Sequence, residues 1–341
     1  MIRLFANANY DFIGFRKIAY IVTAIIMIPG LLMIAFTGLN YSIEFTGGTL
    51  VQVATTQPAN IGEIRAALEA EGIPQPEITT FGGSNEFVVR ARLAQHQAVT
   101  EREAQSTAEV VRSALTKKLG ADAFTIRRYE VVGPKVGSEL RQKALMAILL
   151  SFVATLVYLA FRFEWRFGVA ATIATMHDIL TTLAFIKYMN LEVSLVVVSA
   201  ILTVVGYSLN DTIIIFDRTR ENLHKYKRED LAEILNRSIN ETLPRSILTH
   251  GTTIAAVTSL LIFAGEVIRP FAWVMGFGIF TGTFSSIYIA SPILLMIERK
   301  WPGKDARGVK ARVMPAEHHG HTAAVVAPTP DPRPLTSDPS R

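Results

Sequence analysis

Six apolar stretches, each long enough to cross a lipid bilayer, decide what this chain can fold into. They run from Ile18 to Thr37, Ala144 to Phe161, Phe167 to Met189, Val193 to Phe216, Ile247 to Ala264 and Phe271 to Ile297. At about 1.5 Å of rise per residue, a helix needs about 20 residues to cover a hydrocarbon core of roughly 30 Å. Half of the 341 residues are hydrophobic and the mean hydropathy is positive, too apolar for a water-soluble chain of this length unless the excess sits in a membrane. The first stretch is longer than the apolar core of an export signal and lacks an A-x-A-like site, so it is expected to remain as an anchor.

Orientation follows from where Lys and Arg sit in the short loops. A cytoplasmic N-terminus places Arg3, Arg16, Lys17, Arg162, Arg166, Arg218, Arg220, Lys225, Lys227, Arg228, Arg237, Arg245, Arg299, Lys300 and Lys304 inside, with only Lys187 and Arg269 in short outer loops. Arg141 and Lys143, just before the second span, are expected to reach the outer interface by snorkelling. The net charge of +5 is therefore a topology signal, and no nucleic-acid partner is expected. The absence of cysteine excludes disulfides, thiolate metal sites and thiol nucleophiles.

Residues 38–142 form the one long segment between spans and carry the pattern of a small α/β domain. Thr49 to Thr55 alternates like a strand, and Asn60 to Ala70 places Ile61, Ile64 and Leu68 at helical spacing behind an Asn60 cap with Glu63 three residues on. Ile78 to Phe81 and Glu86 to Leu93 predict a hairpin through Gly82–Asn85; Thr100 to Leu119 predicts a helix and Phe124 to Val132 a last strand. The order βαββαβ is that of a ferredoxin-like domain, which by itself names no function. Its lone His96 reads as a surface residue. The chain thus divides into an N-terminus with span one (1–37), an extracytoplasmic domain (38–142), spans two to six (143–301) with an amphipathic cytoplasmic connector on the membrane surface within 217–245, and a disordered tail (302–341).

Two acids lie within the apolar runs: Asp178 in span three and Asp211 in span four. A carboxylate at such depth costs at least about 2.5 kcal/mol, so it must face other helices or a wet cavity and have a partner. Each can be a polar group that packs helices together. For Asp178 no partner is visible, because His177 is adjacent and points elsewhere. Ser208, Asn210 and Thr212 cluster with Asp211, and Arg245 follows Pro244 at the expected start of span five. Arg245 reads either as an ordinary cytoplasmic anchor or as a cation reaching Asp211. In the second case the acid would alternate between pairing and protonation, as a proton relay does. His250, about a turn and a half deeper, could extend that path or make a plain polar contact. In span six, Gly278-xxx-Gly282 predicts close helix packing, within the bundle or with another chain.

Three motifs together carry a resemblance: Phe45-Thr46-Gly47-Gly48-Thr49 after span one, Val132-Gly133-Pro134-Lys135-Val136-Gly137 before span two, and Gly206-Tyr207-Ser208-Leu209-Asn210-Asp211-Thr212 in span four, continued by Phe216-Asp217-Arg218-Thr219-Arg220-Glu221-Asn222. With these the chain, to about Trp301, resembles the SecF family of protein-export membrane subunits in the resistance-nodulation-division superfamily. The resemblance implies that Asp211 carries protons, that Arg245 is its functional partner, and that Asp178, matching a family acid of span three, belongs to the proton relay with them. It also implies pairing with SecD, work beside SecYEG, SecA and YidC on a translocating preprotein, a place in the bacterial inner membrane, and use of the proton motive force. Neither enzyme chemistry nor a cofactor is implied. Glu44, where aspartate is common in the family, His250, where a small hydroxyl residue is common, and Pro270, where glycine is frequent, depart from its pattern.

A proton-coupled exporter of small molecules or lipids in the same superfamily is the rival function, disfavoured by the small size of the domain between spans one and two. An intramembrane protease would need converging carboxylates, and Asp178 and Asp211 lack that motif context. His318, His319 and His321 in the proline-rich tail read as solvated residues ahead of a loose metal site.

Overall fold

The computed structural model describes residues 8–73, 76–81, 83–91, 101–265 and 267–302; His96, the tail from residue 303 and its three histidines lie outside them. The first helix, α1 (Arg16–Thr37), leads into a short helix α2 (Ile43–Thr46), then β1 (Gly48–Thr55), α3 (Ile61–Ala70), β2 (Glu77–Phe81), β3 (Gly83–Ala91), α4 (Glu101–Leu119) and β4 (Phe124–Val132). Long helices follow: α5 (Pro134–Arg162), α6 (Trp165–Tyr188), α7 (Leu195–Lys225), α8 (Leu231–Phe263), α9 (Arg269–Ser285), a π-helical turn (Ser286–Ala290) and α10 (Ser291–Lys300). Counting α9 to α10 as one composite, six helices among the described residues are long and apolar enough to cross a membrane.

The domain between α1 and α5 is a four-stranded sheet in the order β2-β3-β1-β4, with every neighbouring pair antiparallel. Read from the other edge it is 4-1-3-2, the ferredoxin-like order the sequence pattern predicts. Alternation along β1 sends Val51 and Val53 inward, where Phe87 and Val89 of β3 join them beneath Ile64 and Leu68 of α3 and Val111 and Leu115 of α4. The Asn60 side chain caps α3 by accepting from the Gly62 amide at 2.9 Å. The hairpin is tighter than predicted. β3 begins at Gly83, which pairs with Phe81, because the glycine-rich residues read as a loop are drawn into the ladder.

The bundle is built around α6, α7 and the composite sixth span, whose apolar windows are more than half buried. α1, α5 and α8 lie outside them and expose rows of large apolar side chains, Ile21, Ile25 and Phe36 on α1 and Leu149, Leu150 and Phe161 on α5 among them, which suits contact with lipid. The small-residue spacing of span six is used inside the bundle. A Cβ on Gly278 would stand 2.1 Å from Cγ2 of Val204, and one on Gly282 would stand 2.8 Å from Cβ of Ser208, so α7 and α9 approach to a distance that only glycine permits.

Two expectations need correction. The connector ahead of span five is no separate helix on the membrane surface: α8 runs unbroken for 33 residues with Pro244 inside it. The proline removes one backbone hydrogen bond and crowds the carbonyl a turn earlier, yet the helix continues past it, with Ile239, Thr242 and Ser246 buried on both sides. The connector's apolar face is covered by protein, since Leu231, Ile234, Leu235 and Ile239 pack with Phe216, Leu223 and Ile13. The helical periodicity was read correctly, but it cannot distinguish lipid from protein as the covering surface.

Candidate functional site

The three middle turns of α7 bring the chemistry together. Ser208, Asp211 and Thr212 lie on its buried side, Asp211 and Thr212 following Ser208 by three and four residues and so sharing its face. Asp211 is 2 % exposed, and its Oδ2 lies 2.9 Å from Nε2 of His250 on α8. Among the described residues the imidazole is the only charged or chargeable group at ion-pair distance from this carboxylate. The ring is itself buried. Its other neighbours are the Thr283 hydroxyl of α9, 3.2 and 3.3 Å from its two nitrogens, and the Tyr207 ring, 5.5 Å away between centroids. The Tyr207 hydroxyl donates to Thr253 Oγ1 at 3.0 Å, which ties α7 to α8 one turn from the pair.

Asp178 has partners that adjacency in sequence did not reveal. Fully buried on α6, it accepts hydrogen bonds at Oδ2 from Ser208 of α7 and from Ser285 of α9 at 2.7 Å, while Oδ1 lies 3.0 Å from His177 Nδ1. The expectation that His177 points elsewhere fails because an imidazole can fold back onto its own neighbour. Next to this node Thr212 and Ser286 share a hydrogen bond of 2.8 Å. Carboxylate and hydroxyls thus join three helices at membrane depth.

Arg245 is placed apart. It is exposed on α8 and forms no ion pair with Asp211. Five residues separate it from His250, which turns the two side chains about 140° apart around the helix, so only one of them can face α7. On α7 itself, Gly206 and Asn210 of the motif are exposed too, in line with Ser199 and Thr203.

The other two motifs meet at the opposite end of the bundle. Gly137 in the first turn of α5 lies against the backbone of the Phe45–Gly47 turn, where an added Cβ would come within 2.8 Å of the Gly47 nitrogen. Gly47 and Gly48 hold φ of 74° and 142°, values that favour glycine. Phe45 is buried with Ile186, Val193 and Val197, and the Ser42 amide donates to the Val193 carbonyl at 2.9 Å. Glu44 Oε2 accepts from the Leu195 amide at 2.6 Å, placing a carboxylate at the N-terminus of α7, where the helix dipole favours it. Gly133 and Pro134 open α5 as N-cap and first residue. Arg90 on β3 pairs with Glu192 in the same α6–α7 loop.

Sequence reasoning missed several of these partners. The roles of Ser285, Glu44 and the Arg90–Glu192 pair give no local signal, since each depends on elements far apart in the chain. Arg166, read as a plain cytoplasmic charge, is buried against Glu298 of α10 at 2.6 Å.

Residues 111–300 match the family described as protein export membrane protein SecD/SecF, C-terminal, and residues 33–59 match the SecD/SecF GG motif. The chain is 54% identical to protein translocase subunit SecF of Gemmatimonas aurantiaca over 91% of its own length and 95% of that protein's. It is 40% identical to the SecF of Calditerrivibrio nitroreducens, over 86% and 95%. Among solved structures it resembles SecDF of Thermus thermophilus, described as a translocon-associated membrane protein, with a TM-score of 0.77 and 34% identity; the match covers 86% of this chain and 39% of that one. A SecDF structure in a super-membrane-facing form matches with a TM-score of 0.63. Six membrane helices, the paired glycine motifs and this likeness along nearly the whole sequence together make the chain a member of the SecF family of protein translocase subunits, multi-pass membrane proteins of protein export.

Proposed function

We propose that this chain is an auxiliary subunit of the Sec translocase that pairs with SecD in the bacterial inner membrane and uses the proton motive force to promote preprotein translocation. Its termini lie in the cytoplasm and the domain of residues 38–142 on the periplasmic side. SecYEG, SecA and YidC are its neighbours in the working assembly. Asp211 carries the proton, and Arg245 serves it from the face turned to the second subunit. Asp178 is the fixed acceptor that holds α6, α7 and α9 around the carrier.

The observation that carries this reading is a buried carboxylate in a membrane helix whose one close partner is itself able to gain and lose a proton. Acids at such depth are costly and mark ion pathways. Pairing with a second subunit is supported by what α7 and α8 leave uncovered. Ser199, Thr203, Gly206 and Asn210 of α7 and Arg245 and Thr252 of α8 are exposed, and a guanidinium and a carboxamide suit a protein neighbour better than lipid. The test is export of a stalled preprotein in membrane vesicles carrying Asp211→Asn or Arg245→Met, with and without a proton gradient. Loss of the gradient-dependent part in both variants is expected; unchanged export in both refutes the relay. Failure to co-purify a second six-span chain refutes the pairing.

A further inference from the structure

The partner that Asp211 has here is an imidazole. An arginine beside a carboxylate is a fixed charge, so such a pair can change its proton content only at the acid. An imidazole changes charge in the physiological range. With Nε2 and Oδ2 at 2.9 Å, one proton shared between Asp211 and His250 leaves the pair neutral whether it rests on the carboxylate or on the ring. Neutrality matters at this place, because both side chains are buried in a membrane bundle and a bare charge there is costly. The pair can take one proton more or one fewer, and either step is then a property of both groups.

We infer that His250 is a proton-carrying member of the Asp211 relay, taking the proton from Oδ2 at Nε2 and releasing one from Nδ1. The transfer balances as follows. A protonated carboxyl beside a ring that carries hydrogen only on Nδ1 becomes a carboxylate beside an imidazolium; loss of the Nδ1 proton then leaves a neutral ring hydrogen-bonded through Nε2–H to the carboxylate. The Thr283 hydroxyl lies 3.2 Å from Nδ1 and 3.3 Å from Nε2, within reach of the proton that Nδ1 releases. The groups that face His250 are few. From α7 they are Asp211 and the Tyr207 ring, from α9 the Thr283 hydroxyl, and on its own helix Arg245 stands about 140° away. Asp178 is occupied by Ser208, Ser285 and His177.

This inference rests on Asp211 being the carrier, and the experiment separates the two. Gradient-dependent export is measured in vesicles containing the full translocase from about pH 5.5 to about 8.5, the range in which imidazole titrates, for the wild type, Asp211→Asn and His250→Gln. Glutamine can keep a hydrogen bond to Asp211 but cannot carry a proton. Export should fall by about tenfold or more in His250→Gln and lose its pH dependence across that range. If His250→Gln keeps the wild-type rate and profile while Asp211→Asn abolishes gradient dependence, the imidazole is only a hydrogen-bond partner and the inference falls alone. If Asp211→Asn also leaves gradient dependence intact, the relay reading falls with it. A second measurement guards against a folding defect: infrared difference spectra of the purified wild-type complex between low and high pH should show imidazole and carboxyl bands changing together. An imidazole band whose titration is unaffected by Asp211→Asn overturns the coupling.

Discussion

Replacing Gly137 by alanine should loosen the attachment of the α/β domain to the bundle while leaving both folded. The added Cβ would lie 2.8 Å from the Gly47 nitrogen and 3.2 Å from the Phe45 carbonyl carbon, where ordinary contact begins at 3.4 Å. Both are backbone atoms, so no side chain can swing aside. α2 must retreat by about 0.6 Å, the gap between 2.8 and 3.4 Å, but Phe45 is packed against Ile186 and Val197 and Glu44 holds the Leu195 amide. Overpacking of this kind costs about 1–3 kcal/mol. At about 1.4 kcal/mol per factor of ten, local opening becomes about fivefold to a hundredfold more frequent. Amide hydrogen exchange reads this directly at Gly47, whose N–H donates to the Ile43 carbonyl at 2.8 Å, and at Val193, whose N–H donates to Asn40 at 2.7 Å. Gly133→Ala is the control, because an added Cβ there meets nothing within 4 Å. Equal exchange at Gly47 and Val193 in wild type and Gly137→Ala would refute the interlocking of the two motifs. Acceleration that extends equally to Val53 in the domain core would show a global effect instead.

Gly278→Ala forces a Cβ to 2.1 Å from Val204 Cγ2 and should lower stability in detergent by about 2 kcal/mol; Val204→Ala in the same chain should recover part of it, and an absence of recovery would place the strain elsewhere. Glu298→Gln removes the charge that faces buried Arg166 and should cost about 2 kcal/mol, seen as earlier heat-induced aggregation; an unchanged profile would mean that Glu164, which also contacts Arg166, suffices. Ahead of α1, the Gly14 amide, then the Asn236 side chain and Arg16 hold the Asp11 carboxyl below the usual carboxylate range. Its contribution is present above the unfolded pKa of about 3.9 and is lost as pH falls through the lower folded value. Asp11→Asn should therefore speed exchange of the Gly14 amide at neutral pH, whereas the wild type should show the same loosening only below about pH 4; equal exchange in both at neutral pH would remove Asp11 from the account.

How much of this was legible in the sequence depends on the range over which each interaction acts. The six spans and the βαββαβ order follow from periodicity within single segments, and the Asn60 cap from a spacing of a few residues. Asp178 and Asp211 were visible because a charge in an apolar run needs no context to be costly. What the sequence could not show is which way each helix turns. Arg245 and His250 sit on one helix, and the larger charge drew attention, yet the rotation of α8 turns the imidazole to Asp211. The partners of Asp178 come from residues 208 and 285, joined only by the close approach of α7 and α9. Pro244 misled for a related reason: a proline suits a helix start on local grounds, whereas α8 continues past it with buried residues on both sides.

The two membrane acids are solved by the fold in opposite ways, and α7 carries the contrast. Asp178 is satisfied by donors from two other helices and by His177, so its carboxylate acts as a common acceptor for α6, α7 and α9. Protonation at Oδ2 would turn an acceptor into a donor and oblige Ser208 or Ser285 to reverse its hydroxyl, in a place where Gly282 already brings the helices to the closest approach glycine allows. Asp211, one turn beyond Ser208 on α7, has a single close partner that can itself change charge, and the proposed relay rests on that difference. Ser285 is also the last residue before the π-helical turn, a local irregularity often found where helices carry function. Ser291 compensates for it by donating to the Ser286 carbonyl at 2.9 Å. At its other end α7 begins against Glu44 of the tether, 16 residues and about 24 Å of helix from Asp211. One close-packed helix thus connects Asp211 with the attachment of the domain, and its seam with α9 leaves little room for motion that is not shared between them.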